Sequence, residues 1–355
     1  MNATVIQIVE SIFNNPLNFL KLDTAQVHEN ITIIPIIVQN DKYIDFMSIN
    51  KAEDLGAVKI IETDSVNEFE VINQSNKQVL IPFGVTVHGG KQDRTVWEPI
   101  LLPGGMKQNI SQQTTITSST ADFHEDQTSE TLRYNIPAKC IEQSRWTFRN
   151  NEGFKTSHIR LHPNVAYEAM SSGSQYDVWD EIQSHRAEMD YSTEIAPTES
   201  YLKMTKTSQK EINDISENFE NIPDQCGIAV FINGEFIGIE FYANHKAWNE
   251  MSSDIIQAFS IEALRTKEKY NKEKIEDYNR AFIDAMQNIT FDISSRNGIG
   301  LGHIVELNSG EHKWRGITLI NDATPIQFYL VSKRGGSKRL APRPDLFRSQ
   351  SNRRF

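Results

Sequence analysis

Residues 83–94, Phe83-Gly84-Val85-Thr86-Val87-His88-Gly89-Gly90-Lys91-Gln92-Asp93-Arg94, are the densest concentration of potential chemistry in this sequence. Two adjacent glycines, Gly89 and Gly90, let a backbone come close to an anion. Lys91 adds a point charge and Arg94 a two-pronged one. Gln92 adds an amide, and His88 exchanges protons near neutrality. The chemistry suggested is phosphate binding with a proton-transfer group beside it. The stretch lacks the Gly-Lys-Ser/Thr ending of a P-loop and the spacing of a dinucleotide fingerprint. It also fits a strand-turn-strand in which the glycines only shape the turn.

A second cluster is Cys140-Ile141-Glu142-Gln143-Ser144-Arg145-Trp146. Residues 137–148 have a strand pattern, which would put Cys140, Glu142, Ser144 and Trp146 on one face. Glu142 is an acid or base candidate, or an ion-pair partner for Arg94 or Arg145. Cys140 has no activating histidine nearby and reads as a buried thiol. Metal ligation finds little support. His158 and His162 are spaced i,i+4, but Pro163 follows and no glutamate completes a zincin pattern. The run His124-Glu125-Asp126 sits in polar sequence. The Gly-x-Ser-x-Gly elbow of an α/β hydrolase is missing.

The elements that must position these residues come in blocks. Residues 3–14 are a short amphipathic helix ended by Pro16, and residues 31–38 are a β-branched strand. Residues 57–62, 69–73, 78–83 and 94–102 read as further strands, with a helical turn at 51–55. Residues 108–130 are rich in Ser, Thr and Gln and read as a long polar insertion. Helical spacing fills 176–220, interrupted near Pro197. Asn233-Gly234 joins two alternating arms and marks a type I′ hairpin. A long helix capped by Ser252 or Ser253 should follow, running to about Met286 with a break near Tyr270. Strands close the chain at 302–307, 313–320 and 326–331. Blocks without strict alternation predict an α+β fold with a largely antiparallel sheet core, a helical middle segment and a long helix after the hairpin. The expected organisation is a helical 1–22, one large domain over 23–331, and a basic disordered tail at 332–355.

Composition narrows the classes. The 355 residues carry 36 basic and 47 acidic side chains, for a net charge of -11. The tail alone is +7, so the body is -18. Such a tail suits phosphate-rich or acidic partners, and residues 333–355 are therefore candidates for contact with nucleic acid or an acidic protein. Two cysteines exclude a disulfide scaffold. No apolar run approaches the 18 or so residues of a membrane helix, and no signal-peptide pattern opens the chain. The expectation is a cytoplasmic protein without a membrane partner. Cofactor and oligomeric state are not legible.

Three stretches together resemble a known family, the ARG (ADP-ribosylglycohydrolase) and rhodanese-phosphatase-superfamily-associated protein domain. They are Gly89-Gly90-Lys91-Gln92-Asp93-Arg94, then Cys140 to Trp146, then the hairpin CGIAVFINGEFIGIEF with Trp248 and the helix after it. The likeness spans roughly residues 30 to 331. It departs at Ser144, where the family often has glycine, and at the 108–130 insertion. The resemblance implies a link to NAD- and ADP-ribose-using bacterial pathways but no reaction. On it, Lys91, Gln92, Arg94, Arg145 and Trp146 are expected to bind a nucleotide or ADP-ribose ligand, with Glu142 or His88 transferring a proton. The alternative is a non-catalytic interaction module that uses the acidic body and the basic tail.

Overall fold

The computed structural model describes residues 2–39, 44–63, 65–105, 132–145, 147, 153–170, 174–189, 191, 199–266, 275–309 and 313–334. The insertion 108–130, Trp146 and tail residues 335–355 lie outside them.

The apolar run Ile31–Val38 pairs antiparallel with Gly227–Ile232, and that strand pairs with Glu235–Tyr242 across the Asn233-Gly234 turn. The sheet continues through Thr324–Ser332, Trp314–Asn321, His303–Asn308 and Asp292–Asn297, while Leu20–Leu22 and Gln26–His28 flank its other side. All its pairings are antiparallel. Period-two alternation sends Ile33, Val230 and Tyr329 to one face, where they pack with Trp248, Met251 and Phe259 of helix His245–Arg265. Ile34, Phe231 and Phe328 go to the other face. There they meet Val9 and Ile12 of helix Asn2–Asn14 and Phe282 and Met286 of helix Tyr278–Asn288. Each fully buried Val, Ile or Phe of this kind contributes about 1.5–3 kcal/mol over exposure. Helices on both faces explain why Ile31–Val38 is apolar at nearly every position.

A smaller β unit carries the signature residues. Six antiparallel strands run in the order Lys155–Ser157, Thr86–His88, Arg94–Val96, Arg133–Cys140, Glu68–Asn73 and Val58–Glu62. Beside them lie Ile100–Leu102, Gln78–Ile81 and Phe46–Ser48. Val71, Val79, Val87, Val96 and Ile100 belong to the apolar core of this unit. The fold is α+β, with antiparallel sheets dominating.

Several boundaries differ from the sequence expectation for identifiable reasons. The long helix starts at His245, not at Ser252. Asn244 is its cap, accepting from the Ala247 N–H at 2.9 Å, while Ser252 takes the Asn221 amide at 2.9 Å from mid-helix. The helix ends at Arg265, and Tyr278–Asn288 is a separate helix capped by Asp277. Residues 94–102 divide at Pro99, Arg94–Val96 joining one sheet and Ile100–Leu102 another. Pro163–Met170 is a helix that opens on proline, where the missing N–H costs nothing. The strand within 137–148 begins at Arg133 and ends at Cys140.

Candidate functional site

Thr86–His88 and Arg94–Val96 pair as a hairpin closed by Gly89-Gly90-Lys91-Gln92-Asp93. Cys140 pairs with Arg94, so the second signature begins directly beside the first. The chain then leaves the strand. The Ile141 N–H bonds the Asp93 carbonyl at 3.0 Å, and Glu142 forms an isolated antiparallel bridge with Ser200. The single shared face expected for Cys140, Glu142 and Ser144 is therefore lost, because residues 143–144 turn.

That turn lets Arg145 reach back over the glycines. Its Nη1 donates to the carbonyls of Gly90 at 2.7 Å and Thr147 at 2.6 Å, and its Nη2 to the Gly89 carbonyl at 3.1 Å. Nε lies 2.8 Å from Glu142 Oε2, and Nη2 is 2.7 Å from the same oxygen. Asp93 stands 3.4 Å from Nη2 and accepts from the Ser200 hydroxyl at 2.9 Å. The Asp93 N–H also donates to Glu142 Oε2, at 3.1 Å. Glu142 and Asp93 are fully buried and Arg145 nearly so. Burial makes this pairing obligatory, since an unpaired charge there would lose its hydration without compensation.

Arg94 is also fully buried, on the other side of the turn. Its Nη2 is 2.6 Å from Glu62 Oε1, and its guanidinium lies 4.9 Å from the Phe154 ring centroid. Burial works against its charge and Glu62 supports it, with a net lowering of its pKa. The Lys91 N–H donates to Glu62 Oε2 at 2.7 Å. The glycine turn and its arginine thus hold an anion, and that anion is the protein's own carboxylate. Gly90, at φ 48°, allows the approach: a Cβ there would sit 1.8 Å from Glu62 Oε2.

Of the other expected residues, Gln92 is buried. Its amide donates to the Glu142 carbonyl at 3.1 Å, and its Oε1 has no hydrogen-bond partner among the described residues. His88 ends its strand opposite Lys155, and both His88 and Lys91 are partly exposed. Trp146 lies outside the described residues. Cys140 is buried, its thiol pushed up to about 11 chiefly by burial. Glu62 and Ser200 carry no motif and could not have been found from spacing. Asp93 lay inside the quoted signature without a role.

His158 and His162 do not converge. His158 is largely exposed, 3.2 Å from Asp254, whose carboxylate raises its pKa. His162 is buried with Nδ1 3.0 Å from the Tyr201 hydroxyl and Nε2 2.8 Å from Arg265 Nη1. Arg265 can only donate, so Nε2 accepts and Nδ1 carries the proton. His185 packs against His162 with ring centroids 4.5 Å apart, and neither of its nitrogens has a hydrogen-bond partner among the described residues. Burial pushes both histidines well below their ordinary value. Among the described residues no group of three His, Cys, Asp or Glu could hold a metal ion, and no helix is long and apolar enough to cross a membrane.

No curated protein and no solved structure matches the chain. A family model matches residues 19–112 and 129–330, a range that takes in both signatures, the hairpin and most of the closing strands, and its one internal gap lies inside the Ser/Thr/Gln-rich stretch. The chain belongs to the ARG and Rhodanese-Phosphatase-superfamily-associated Protein domain family.

Proposed function

We propose that this protein handles a nucleotide or ADP-ribose-like ligand at the rim of the Gly89–Asp93 turn. Lys91 contacts phosphate, His88 exchanges the proton, and Trp146 offers a stacking surface. Arg94, Arg145 and Glu142 act from beneath as positioning residues. Glu142 is assigned that role, and not proton transfer, because its Oε2 already accepts two hydrogen bonds and faces the Arg145 charge. The observation that carries the reading is the convergence of two signatures, some fifty residues apart, on one turn whose Lys91 is partly exposed and whose buried Gln92 Oε1 has no hydrogen-bond partner among the described residues. The family's name, which refers to ADP-ribosylglycohydrolases, supports the ligand class.

The test is thermal unfolding of wild type and Lys91→Ala with ADP-ribose, NAD, AMP and nucleoside triphosphates. A single-site ligand at 100 times its Kd stabilises by about 2.7 kcal/mol, a shift that a melt resolves. Stabilisation lost in Lys91→Ala supports the reading.

One observation favours a second reading, an interaction module without catalysis. All five N–H groups of Arg145 are occupied within the chain. The signature would then be an internal scaffold. A flat response to every compound by a well-folded protein would favour it, and removal of residues 335–355 would show whether the tail carries the partner.

A further inference from the structure

Arg265 closes helix His245–Arg265 with every N–H of its guanidinium engaged. Nε lies 2.8 Å from Glu188, Nη2 is 3.1 Å from Glu181 and also bonded to Glu188, and Nη1 is 3.1 Å from Glu262 and 2.8 Å from His162 Nε2. Four of these five contacts are to carboxylates. The fifth acceptor is an imidazole, and it can stay there only without a proton on Nε2. A proton would set one donor against another. Beside it, His185 is fully buried, and neither of its nitrogens has a hydrogen-bond partner among the described residues. The rings that face it are His162, Tyr191 and Tyr201, so a charge on His185 meets no anion.

Two of the elements gathered here also hold the second signature. Helix Gln175–Glu188 brings Glu181, His185 and Glu188. Its first residue, Gln175, accepts from the Cys140 N–H at 2.9 Å and donates to the Cys140 carbonyl at 2.7 Å. Helix Tyr201–Thr207 starts at the residue whose hydroxyl lies 3.0 Å from His162 Nδ1 and whose N–H donates to the Ile141 carbonyl at 3.0 Å. Its cap, Ser200, donates to Asp93 at 2.9 Å. Arg265, His162, Tyr201, Ser200 and Asp93 therefore form one continuous connection from the end of the long helix to the glycine turn.

We propose that His162 and His185 are an acid-operated latch on the support of the Gly89–Asp93 turn. With both rings neutral, His162 ties Tyr201 to Arg265, and both helices are held against Cys140, Ile141 and Asp93. The charged groups around the pair are Arg265 with Glu181, Glu188 and Glu262, and all three carboxylates are committed to Arg265. Neither ring can take a proton in the closed cluster without losing its hydration uncompensated, and burial holds both well below their ordinary value. Opening returns them to water, so each proton taken up favours the open form. Helices Gln175–Glu188 and Tyr201–Thr207 then leave the second signature while the large sheet stays paired. The latch is independent of which ligand the turn takes.

The test is hydrogen exchange read by mass spectrometry at pH 7.5 and 5.5, corrected for the intrinsic pH dependence of exchange. Two histidines that ordinarily titrate near 6.5 can raise the open fraction by up to about a hundredfold over this interval. Glu181, raised by burial, works against them, and at least a tenfold fall in protection is expected. The fall should appear together in both helices and at the Cys140 and Ile141 amides, at protection well below that of strand Gly227–Ile232. His162→Gln with His185→Phe should remove most of it. His185→Phe alone, which leaves the Arg265 contact in place, should halve it on a logarithmic scale. Protection equal to that of Gly227–Ile232 overturns the proposal, since only whole-chain unfolding would then respond to acid. So does the absence of a fall, a fall that survives in the variants, or one that leaves Cys140 and Ile141 protected. None of these readings requires a ligand, so none bears on binding at the Gly89–Asp93 turn.

Discussion

Arg145 and Glu142 meet through a single carboxylate oxygen, with Nε at 2.8 Å and Nη2 at 2.7 Å from Oε2. Other Arg145 donors hold the Gly89, Gly90 and Thr147 carbonyls, so one side chain fixes both the acid and the turn. Arg145→Met should therefore cost about 3–5 kcal/mol, the penalty for stranding a buried carboxylate. Arg145→Met combined with Glu142→Leu should cost less than Arg145→Met alone. Urea midpoints of the two variants decide this, and a double variant weaker than the single would show that the charges are not coupled.

Gly90→Ala should also destabilise, through Glu62. The substitution adds a Cβ 1.8 Å from Oε2 and 2.8 Å from the Phe154 ring, at a positive φ. The carboxylate must shift, loosening its bonds to Arg94 and the Lys91 N–H, and a loss of about 2–4 kcal/mol follows from the disturbed buried pair and the strained backbone. Gly153→Ala, where a Cβ meets nothing within 4 Å, is the control and should melt near wild type.

Acid should weaken the fold through His162 and His185. In the unfolded chain both take up protons near 6.5; in the folded chain they do so only well below that. The unfolded chain then binds more protons, so stability is complete above pH 7 and falls as pH drops below 6.5. Two such groups give a slope of up to about 2.7 kcal/mol per pH unit. Glu181 and Glu240, raised by burial, act with the opposite sign above their ordinary 4.5, so the histidine contribution is read as the difference between wild type and a histidine variant. His185→Phe should halve the slope. It should also gain stability at pH 6, because it removes two buried ring nitrogens that have no hydrogen-bond partner among the described residues. Denaturant titrations at pH 7, 6.5, 6 and 5.5 measure both effects.

Cys140 should resist alkylation in the native protein. Its thiol is buried and held at about 11, and the thiolate is the reactive form. Iodoacetamide at pH 8 should label it only after unfolding, at a rate that follows denaturant concentration. Fast native labelling would show that the second signature opens.

Local signals proved readable where one residue type decides the geometry. Asn233 and Gly234 have φ 54° and 79°, as a type I′ turn requires, and their arms are Gly227–Ile232 and Glu235–Tyr242. Helix Asn2–Asn14 likewise follows its apolar spacing. Competing local cues hid other boundaries: Asn244 and Ser252 are both good caps, and only packing against the sheet selects the first. The polar strand Asp292–Asn297 has no apolar alternation to reveal it, being a mostly exposed edge. In the candidate site, the signature residues were visible because they are clustered in sequence. Glu62 and Ser200 were not, because their roles arise from contacts 32 and 107 residues away.

The pairing of Ile31–Val38 with Gly227–Ile232 has a consequence for biosynthesis. The chain must grow by some 190 residues after Val38 before the partner strand exists. At about 5–20 residues per second, a ribosome leaves this eight-residue β-branched segment without that neighbour for roughly 10–40 s. The Phe83 N–H waits longer still for the Gln327 side chain that receives it. The nascent chain therefore passes through a stage in which an aggregation-prone strand is already made and its shield is not, and protein yield in cells should respond to holdase chaperones and to translation speed between residues 38 and 227.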